Sequence, residues 1–353
     1  MVGVIVKTPG DSSQLTLGEY ETPVPKATEI LVKVKCFALN RMDIVQREGK
    51  YPVPPGGSPI LGVEVSGTVE AIGEKGMRLH DKLAAFSNMS FYIVSQFKLG
   101  DEVFGLMPGG GYAEFAVIEE SLAMHKPEKL SFEEAAAIPE TWFTAYQALF
   151  FVGQLQKGED VLIHAGASGV GIAAIQLAKD AGAKNVYVTV GSDEKVKFCE
   201  SLGATKGINY KTQKWGDEIQ KLTDKKGVHL IIDVIGKDYW EQNMQSVAVD
   251  GRMVILAFMS GPVVDGVNLG MILRKRITIL GSNLRARTVE YQQRLRNEIY
   301  NNAVLNHFAK GDGKLKLFVD KVFKWDDIIE AHKYLESNQS MGKIVVQVTS
   351  NNE

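Results

Sequence analysis

The sequence has little cysteine. Among its 353 residues the only two are Cys36 and Cys199, far apart and outside any CxxC pair. That argues against a disulfide scaffold and suits a reducing compartment. An excess of one charge is also missing: 40 basic residues face 42 acidic ones, for a net charge of −2. No bulk field therefore invites nucleic acid or an anionic membrane. Long hydrophobic runs are absent too. The most apolar stretch, 161–178, is interrupted by His164, Gln176 and three glycines, which suits a strand–turn–helix better than a membrane span. The opening "MVGVIVKTPGD" is stopped by Lys7 and Pro9 before it could act as a secretory leader. The closing "SNNE" carries no lipidation or organelle signal, so the cytosol is the expected location.

What remains is a globular composition, 45% apolar and 23% charged, long enough for about two domains with buried cores. Up to residue 125 the chain is rich in short strand patterns such as "GVIVK", "EILVKVKCFAL" and "EVSGTVEAI", separated by Gly and Pro signals like "PVPPGGSP". An irregular, mostly antiparallel β domain is expected there. Near residue 130 the character changes. Ser131 followed by Glu134 is a helix-start signal. From 160 onward strand and helix patterns alternate: "VLIHA" precedes "GIAAIQLAKDAG", "NVYVTV" precedes "SDEKVKFCESLG", and "HLIIDVI" precedes "DYWEQNMQSVA". Such alternation predicts an α/β fold with a doubly wound parallel sheet. A long amphipathic helix from Thr288 then leads back to strand patterns at "LKLFVDKVFKW" and "GKIVVQV". The predicted arrangement is a dinucleotide-binding domain over 126–310 inserted into a β-rich substrate domain made of 1–125 plus 311–353.

The segment "HAGASGVG" at 164–171 lies between a strand and a helix. Gly166, Gly169 and Gly171 allow a tight turn, close approach of backbone to a pyrophosphate, and close packing of helix on sheet, with an anion favoured at the helix start. Ser168 occupies the second glycine position of a GxGxxG pattern, so the motif alone is weak, and a turn with only a packing role is the competing reading. A serine nucleophile on a sharp elbow would need GxSxG, and Val170 breaks that pattern. His307 and His332 are also poorly placed to complete a triad.

An NAD-binding unit carries an acid about 20 residues further on, at the end of its second strand. Here that place reads "VGSDEK": Gly191 and Ser192 end the strand, and Lys195 follows one helical turn later. Losing a carboxylate and gaining an ammonium suits the 2′-phosphate of NADPH. The plainer reading makes Asp193 a helix cap and Lys195 a solvated side chain.

Taken with "ALNRMD" at 38–43, "ILGVEVSGTV" at 60–69, "AAAIPETWFTAYQAL" at 135–149, "VLIHAGASGVGIAAIQLAK" at 161–179, "LGATKGINY" at 202–210 and "MGKIVVQV" at 341–348, the chain resembles the medium-chain dehydrogenase/reductase superfamily. The branch it resembles is that of the zinc-free, zeta-crystallin-like quinone oxidoreductases. The resemblance runs over nearly the whole chain and implies a Rossmann sheet inserted into a GroES-like domain. Zinc-dependent members place a Cys where this chain has Asn40, a His–Glu pair where it has Val63–Glu64, and a further Cys near Glu140. That set does not make a zinc site, so no metal is expected. Glu64 is then a buried carboxylate with a structural role.

The resemblance implies NADPH as cofactor. Asn40 and Thr144 would lie near the nicotinamide, and Gly166, Ser168, Gly169, Val170 and Gly171 at the pyrophosphate. Gly191, Ser192, Lys195 and Tyr210 would surround the 2′-phosphate. Phe258 and Met259 would flank the nicotinamide from its other side, with Leu284 and Arg285 nearby. Tyr51 corresponds to a tyrosine at the mouth of the active cleft, or else is a loop residue packed among Pro52, Pro54 and Pro55. Asp43 is as well explained by a helix start or a hydrogen bond as by catalysis. The implied reaction is direct hydride transfer to a small-molecule quinone, or to another activated carbonyl or alkene. Tyr51 or a water would protonate the product, with Asn40 beside the reacting ring. Two alternatives stand beside it, an enoyl-thioester reductase and a non-catalytic NADPH-binding structural or regulatory protein. A homodimer through the edge strand 277–282 is expected. One departure from the branch is an extra stretch over 74–100, read as an added hairpin, a lid, an oligomer contact or a surface excursion.

Overall fold

The computed structural model describes residues 1–54, 57–73 and 96–349. The extra stretch thus falls outside the described residues as far as position 95. The chain forms two compact units: Thr141–Arg287, and the flanking pieces Met1–Glu140 and Thr288 onward.

The first piece supplies strands β1 (Val2–Val6), β2 (Leu15–Glu19), β3 (Glu29–Ala38), β4 (Glu64–Ile72), β5 (Glu102–Leu106), β6 (Phe115–Glu119) and β7 (Ala123–His125). β1 and β2 form a hairpin of their own. β3 is the spine of the larger sheet because it pairs along both edges. β4 runs antiparallel along one edge, and β6 covers the start of the other. Its near-continuous apolar run, with Ile30, Val32 and Phe37 at 0% exposure, fits burial on both faces. Phe37 stacks on Tyr112 with ring centroids 4.2 Å apart. The Ser131–Glu134 signal is realised as a reciprocal cap: Glu134 N–H donates to Ser131 Oγ at 3.1 Å, and Ser131 N–H donates to the Glu134 carboxylate at 3.0 Å.

The second unit holds β8 (Asp160–His164), β9 (Asn185–Val190), β10 (Lys206–Asn209), β11 (Val228–Asp233), β12 (Val247–Ile255) and β13 (Thr278–Gly281). All are parallel, in the order β10-β9-β8-β11-β12-β13. The strand order reverses between β8 and β11, the point beside which doubly wound sheets bind ligands at their carboxyl ends. The chain then returns to the first unit with β14 (Val319–Lys324) and β15 (Lys343–Gln347). β15 lies inside that sheet, parallel to β14 and antiparallel to the end of β3.

Three sequence expectations shift for physical reasons. The unit boundaries fall at 140/141 and 287/288, inside the expected 126 and 310. The helix Phe132–Ala136 packs on β3 and β4, and Arg296 of the helix Val289–Ile299 donates to the Ala123 carbonyl at 2.9 Å, which assigns both to the β-rich unit. The long helix after Thr288 is regular only over Val289–Ile299 and widens to π geometry over Tyr300–Phe308. The strand expected from residue 315 begins at Val319. Among the described residues no helix is long and apolar enough to cross a membrane.

Candidate cofactor site and buried polar cluster

In the second unit the β8 turn is shaped by close packing. Ala165 adopts a left-handed φ of 53°. A Cβ on Gly166 would sit 2.7 Å from Val188, and one on Gly171 would sit 2.4 Å from the Ala165 carbonyl oxygen. Neither position admits a side chain, so the helix Gly169–Asp180 begins hard against the strand end. Ser168 caps that helix, its Oγ accepting from Gly171 N–H at 3.1 Å. The first helical amides, Gly169 and Val170, have no intrahelical acceptor by the geometry of a helix start. They offer two donors and the positive end of a twelve-residue helix, which fits a pyrophosphate. The exposed Ser168 side chain is thus accounted for as a helix cap.

The β9 turn lies alongside, since Gly166 N–H donates to the Thr189 carbonyl at 3.1 Å. Ser192, not Asp193, caps the next helix: its Oγ accepts from Lys195 N–H at 3.2 Å. Asp193 accepts instead from Asn209 Nδ2 at 2.8 Å. The hydroxyl of half-exposed Tyr210 covers Gly191, where a Cβ would come within 2.8 Å of it. Gly191, Ser192, Lys195 and Tyr210 are therefore gathered at one strand end. Phe258 and Met259 follow β12 and are exposed at 52% and 46%. Their loop is tied to the exit of β11, with Met259 N–H donating to Val234 O at 3.1 Å and Ser260 N–H to Ile235 O at 2.9 Å. Leu284 and Arg285 are buried, and Thr144 is half-buried.

Asn40 and Tyr51 belong to the first unit. Tyr51 is half-buried. Asn40 sits at the end of β3 in a fully engaged cluster with Glu64 of β4 and Lys343 of β15. Asn40 Nδ2 donates to Glu64 Oε1 at 2.8 Å. Lys343 Nζ donates to Glu64 Oε1 at 2.7 Å, to Asn40 Oδ1 at 2.7 Å and to the Leu39 carbonyl at 2.8 Å. Glu64 Oε2 accepts from Glu140 N–H at 2.7 Å. Every donor and acceptor of the ammonium and carboxylate has a partner, as burial at 5% and 0% exposure demands. Sequence reasoning missed Lys343. The available signal was a charged residue opening the apolar strand "KIVVQ".

A second buried group lies next to it. Asp43 Oδ2 accepts from Asn40 N–H at 2.7 Å and from the Tyr112 hydroxyl at 3.0 Å, so the hydrogen-bonding account of Asp43 describes its position. Burial pushes its carboxyl up to about 6. His332 is pushed down to about 3 by burial and the neighbouring Arg47 guanidinium, and its neutral Nδ1 accepts from Arg47 Nη1 at 3.1 Å.

These side chains do not fit a catalytic zinc. The expected ligand positions carry an amide already hydrogen-bonded at both ends (Asn40), a hydrocarbon (Val63) and Glu140. Among the described residues no three His, Cys, Asp or Glu come together as a metal-holding group.

A Rossmann sheet with a glycine-rich anion turn, inserted into a β-rich unit, defines a nucleotide-dependent oxidoreductase class. Residues 26–128 match the alcohol dehydrogenase GroES-like domain, and residues 169–299 match the zinc-binding dehydrogenase family. The chain is 32% identical over 346 residues to a quinone oxidoreductase of Pseudomonas aeruginosa, covering 96% of each. It superimposes on the Escherichia coli quinone oxidoreductase complexed with NADPH with a TM-score of 0.83 at 28% identity, covering 99% of this chain and 100% of that one. The CurK enoyl reductase is comparably similar, with a TM-score of 0.81 at 28% identity over 99% of both chains. The chain belongs to the medium-chain dehydrogenase/reductase superfamily, and quinone oxidoreductases are among its relatives.

Replacing Lys343 by Met should strand Glu64 as a buried unpaired carboxylate and cost about 3–5 kcal/mol in denaturant unfolding. Adding Glu64→Gln to Lys343→Met should recover much of that loss. Equal stabilities of the single and double variants would show that the pair carries no such constraint.

Proposed function

We propose that this protein is an NADPH-dependent reductase that passes hydride directly to a quinone, or to another activated carbonyl or alkene, without a metal. The observation that carries the reading is the turn after β9. There Asp193 is held by Asn209, the Ser192 hydroxyl caps the next helix on the Lys195 amide, and the Tyr210 hydroxyl covers Gly191. That set suits a 2′-phosphate, with the pyrophosphate at the start of the helix Gly169–Asp180. When bound, the nicotinamide supplies the hydride. The protein's part is positioning, which suffices for a good hydride acceptor. Asn40, Thr144, Phe258, Met259, Leu284 and Arg285 are assigned to the nicotinamide end. The buried, free thiols of Cys36 and Cys199, both pushed up to about 12 by burial, are compatible with the cytosol.

The likeness to the CurK enoyl reductase favours one second reading, delivery of the hydride to the β-carbon of an enoyl thioester. Parallel assays of NADPH oxidation with quinones and with enoyl thioesters separate the two. Lys195→Ala should raise the Kd for NADPH about tenfold while moving that for NADH little, since it removes one charge-assisted contact to the 2′-phosphate. Equal losses for both cofactors would refute the phosphate assignment. Tyr51 is assigned the protonation of the developing phenolate. Tyr51→Phe should therefore lower quinone turnover, by about 10²-fold if it is the general acid. Unchanged turnover and affinity would remove it from the mechanism. Finally, β13 is an edge strand of the parallel sheet, and Leu273, in the turn of helix before it, is 80% exposed. Pairing of β13 across a twofold axis would hide that edge. Small-angle scattering should then give twice the 38.8 kDa chain mass, whereas a monomer at micromolar concentration would dismiss the dimer.

A further inference from the structure

Beneath the turns of the second unit runs a buried chain of polar side chains that the dinucleotide reading does not use. His164 closes β8, Thr189 is the penultimate residue of β9, and Asp233 closes β11; each is 1% exposed. Asn243, fully buried on the helix Trp240–Ser246, completes it.

The direction of every bond can be deduced. Asn243 Nδ2 donates to Asp233 Oδ2 at 3.1 Å, so Asn243 Oδ1 is the acceptor that faces His164 Nε2 at 2.7 Å. Nε2 therefore carries a hydrogen. Burial favours the neutral imidazole over the charged one, against the pull of Asp233. Nδ1 is then an acceptor, and it takes the Thr189 hydroxyl proton at 2.9 Å. Thr189 thereby uses its single hydroxyl proton on Nδ1. The imidazole stands edge-on to Trp215 and to Tyr239, with ring centroids 4.8 Å from each.

Each end of this chain reaches a different part of the cofactor site. Thr189 holds His164 through its side chain and the Gly166 turn through its carbonyl, two residues before Gly191. Tyr239 meets Tyr210 edge to face at 6.3 Å, and Tyr210 covers Gly191. At the far end, Asp233 Oδ1 accepts from Ile235 N–H at 2.7 Å and Gly236 N–H at 3.2 Å. That fixes the backbone to which Met259 and Ser260 are bonded.

We propose that His164 is a positioning residue for cofactor recognition: its two nitrogens lock the pyrophosphate turn, the 2′-phosphate turn and the Phe258–Met259 loop into one arrangement. This rests on the NADPH reading above. A histidine suits the place because one rigid ring must accept on one side and donate on the other between neighbouring strand ends. A hydrocarbon of similar size would fill the space but remove the partner of the Thr189 hydroxyl and of Asn243 Oδ1.

The test is cofactor binding, read by NADPH fluorescence and by competition with 2′,5′-ADP, which probes the phosphate end alone. His164→Leu, folded by circular dichroism, should raise both dissociation constants about tenfold or more, the scale of a small misplacement. His164→Gln, whose amide can donate toward Asn243 and accept from Thr189, should restore most of the affinity. Thr189→Val, which breaks only one arm, should reproduce the loss for 2′,5′-ADP. A purely structural role would lower the melting temperature and leave affinities measured well below it unchanged, and that result overturns the proposal. Should His164→Leu fail to fold, Thr189→Val decides: wild-type affinity for 2′,5′-ADP overturns the proposal. Absence of NADPH binding by the wild-type protein would instead fail the NADPH reading itself, and this inference with it.

Discussion

The buried ion pair between Lys343 and Glu64 is the constraint on which the β-rich unit depends. Removing an ammonium and a carboxylate from water costs several kcal/mol per ion, and only complete hydrogen bonding in good geometry offsets it. Lys343 has three acceptors, two just past the end of β3 and one on β4, and Glu64 has three donors from three segments. Such a set tolerates no slip in register, because moving β15 by one residue would turn Lys343 to the opposite face of the sheet. The pair therefore fixes how β3, β4 and β15 meet. It also leaves Asn40 a single orientation, with its carbonyl on the ammonium and its amide on the carboxylate.

The second unit solves a similar problem with neutral groups. There the buried polar side chains are hydroxyl, imidazole and amide, ending at the one carboxylate, Asp233. Both networks lie at or next to strand ends, so in each unit the core is polar where strands give way to turns. An apolar core would hold these ends by shape alone. Directed hydrogen bonds add orientation, which a site working mainly by positioning requires.

Much of this was legible in sequence because it is local. The alternation of strand and helix patterns from 160 onward gave the doubly wound sheet, and the short strands with Gly and Pro punctuation gave the β-rich unit. Ser131 and Glu134 stand three apart and cap each other as their spacing predicts. The glycine at 171 is required by contacts within its own turn, and that at 166 by Val188 on the neighbouring strand β9. The boundaries were misplaced because composition reports secondary structure and not allegiance: a helix after residue 130 looks like the start of an α/β unit, yet Phe132–Ala136 covers β3 and β4. Asp193 and Ser192 are both good caps by residue type, and only the backbone settles that Ser192 performs the role. Lys343 and His164 escaped notice for a third reason. Each is a single polar residue within an apolar pattern, and its partners lie up to 304 positions away. Periodicity identifies such a residue as an exception without naming what it meets.

The position of β15 bears on how the chain can be made. Its residues, 343–347, lie inside the sheet between β14 and β3, although in the chain they follow the whole Rossmann unit. The Rossmann unit is one uninterrupted segment and can close as soon as residue 287 is available. The β-rich unit, begun first, must wait with β3 uncovered along part of one edge until the carboxyl-terminal strand arrives. Domains generally fold as units during synthesis, and unpaired strand edges are where incomplete chains associate wrongly. The order of completion is thus the reverse of the order of initiation. A chain ending at residue 342 would lose the strand and the ammonium together, leaving Glu64 buried without its counter-ion.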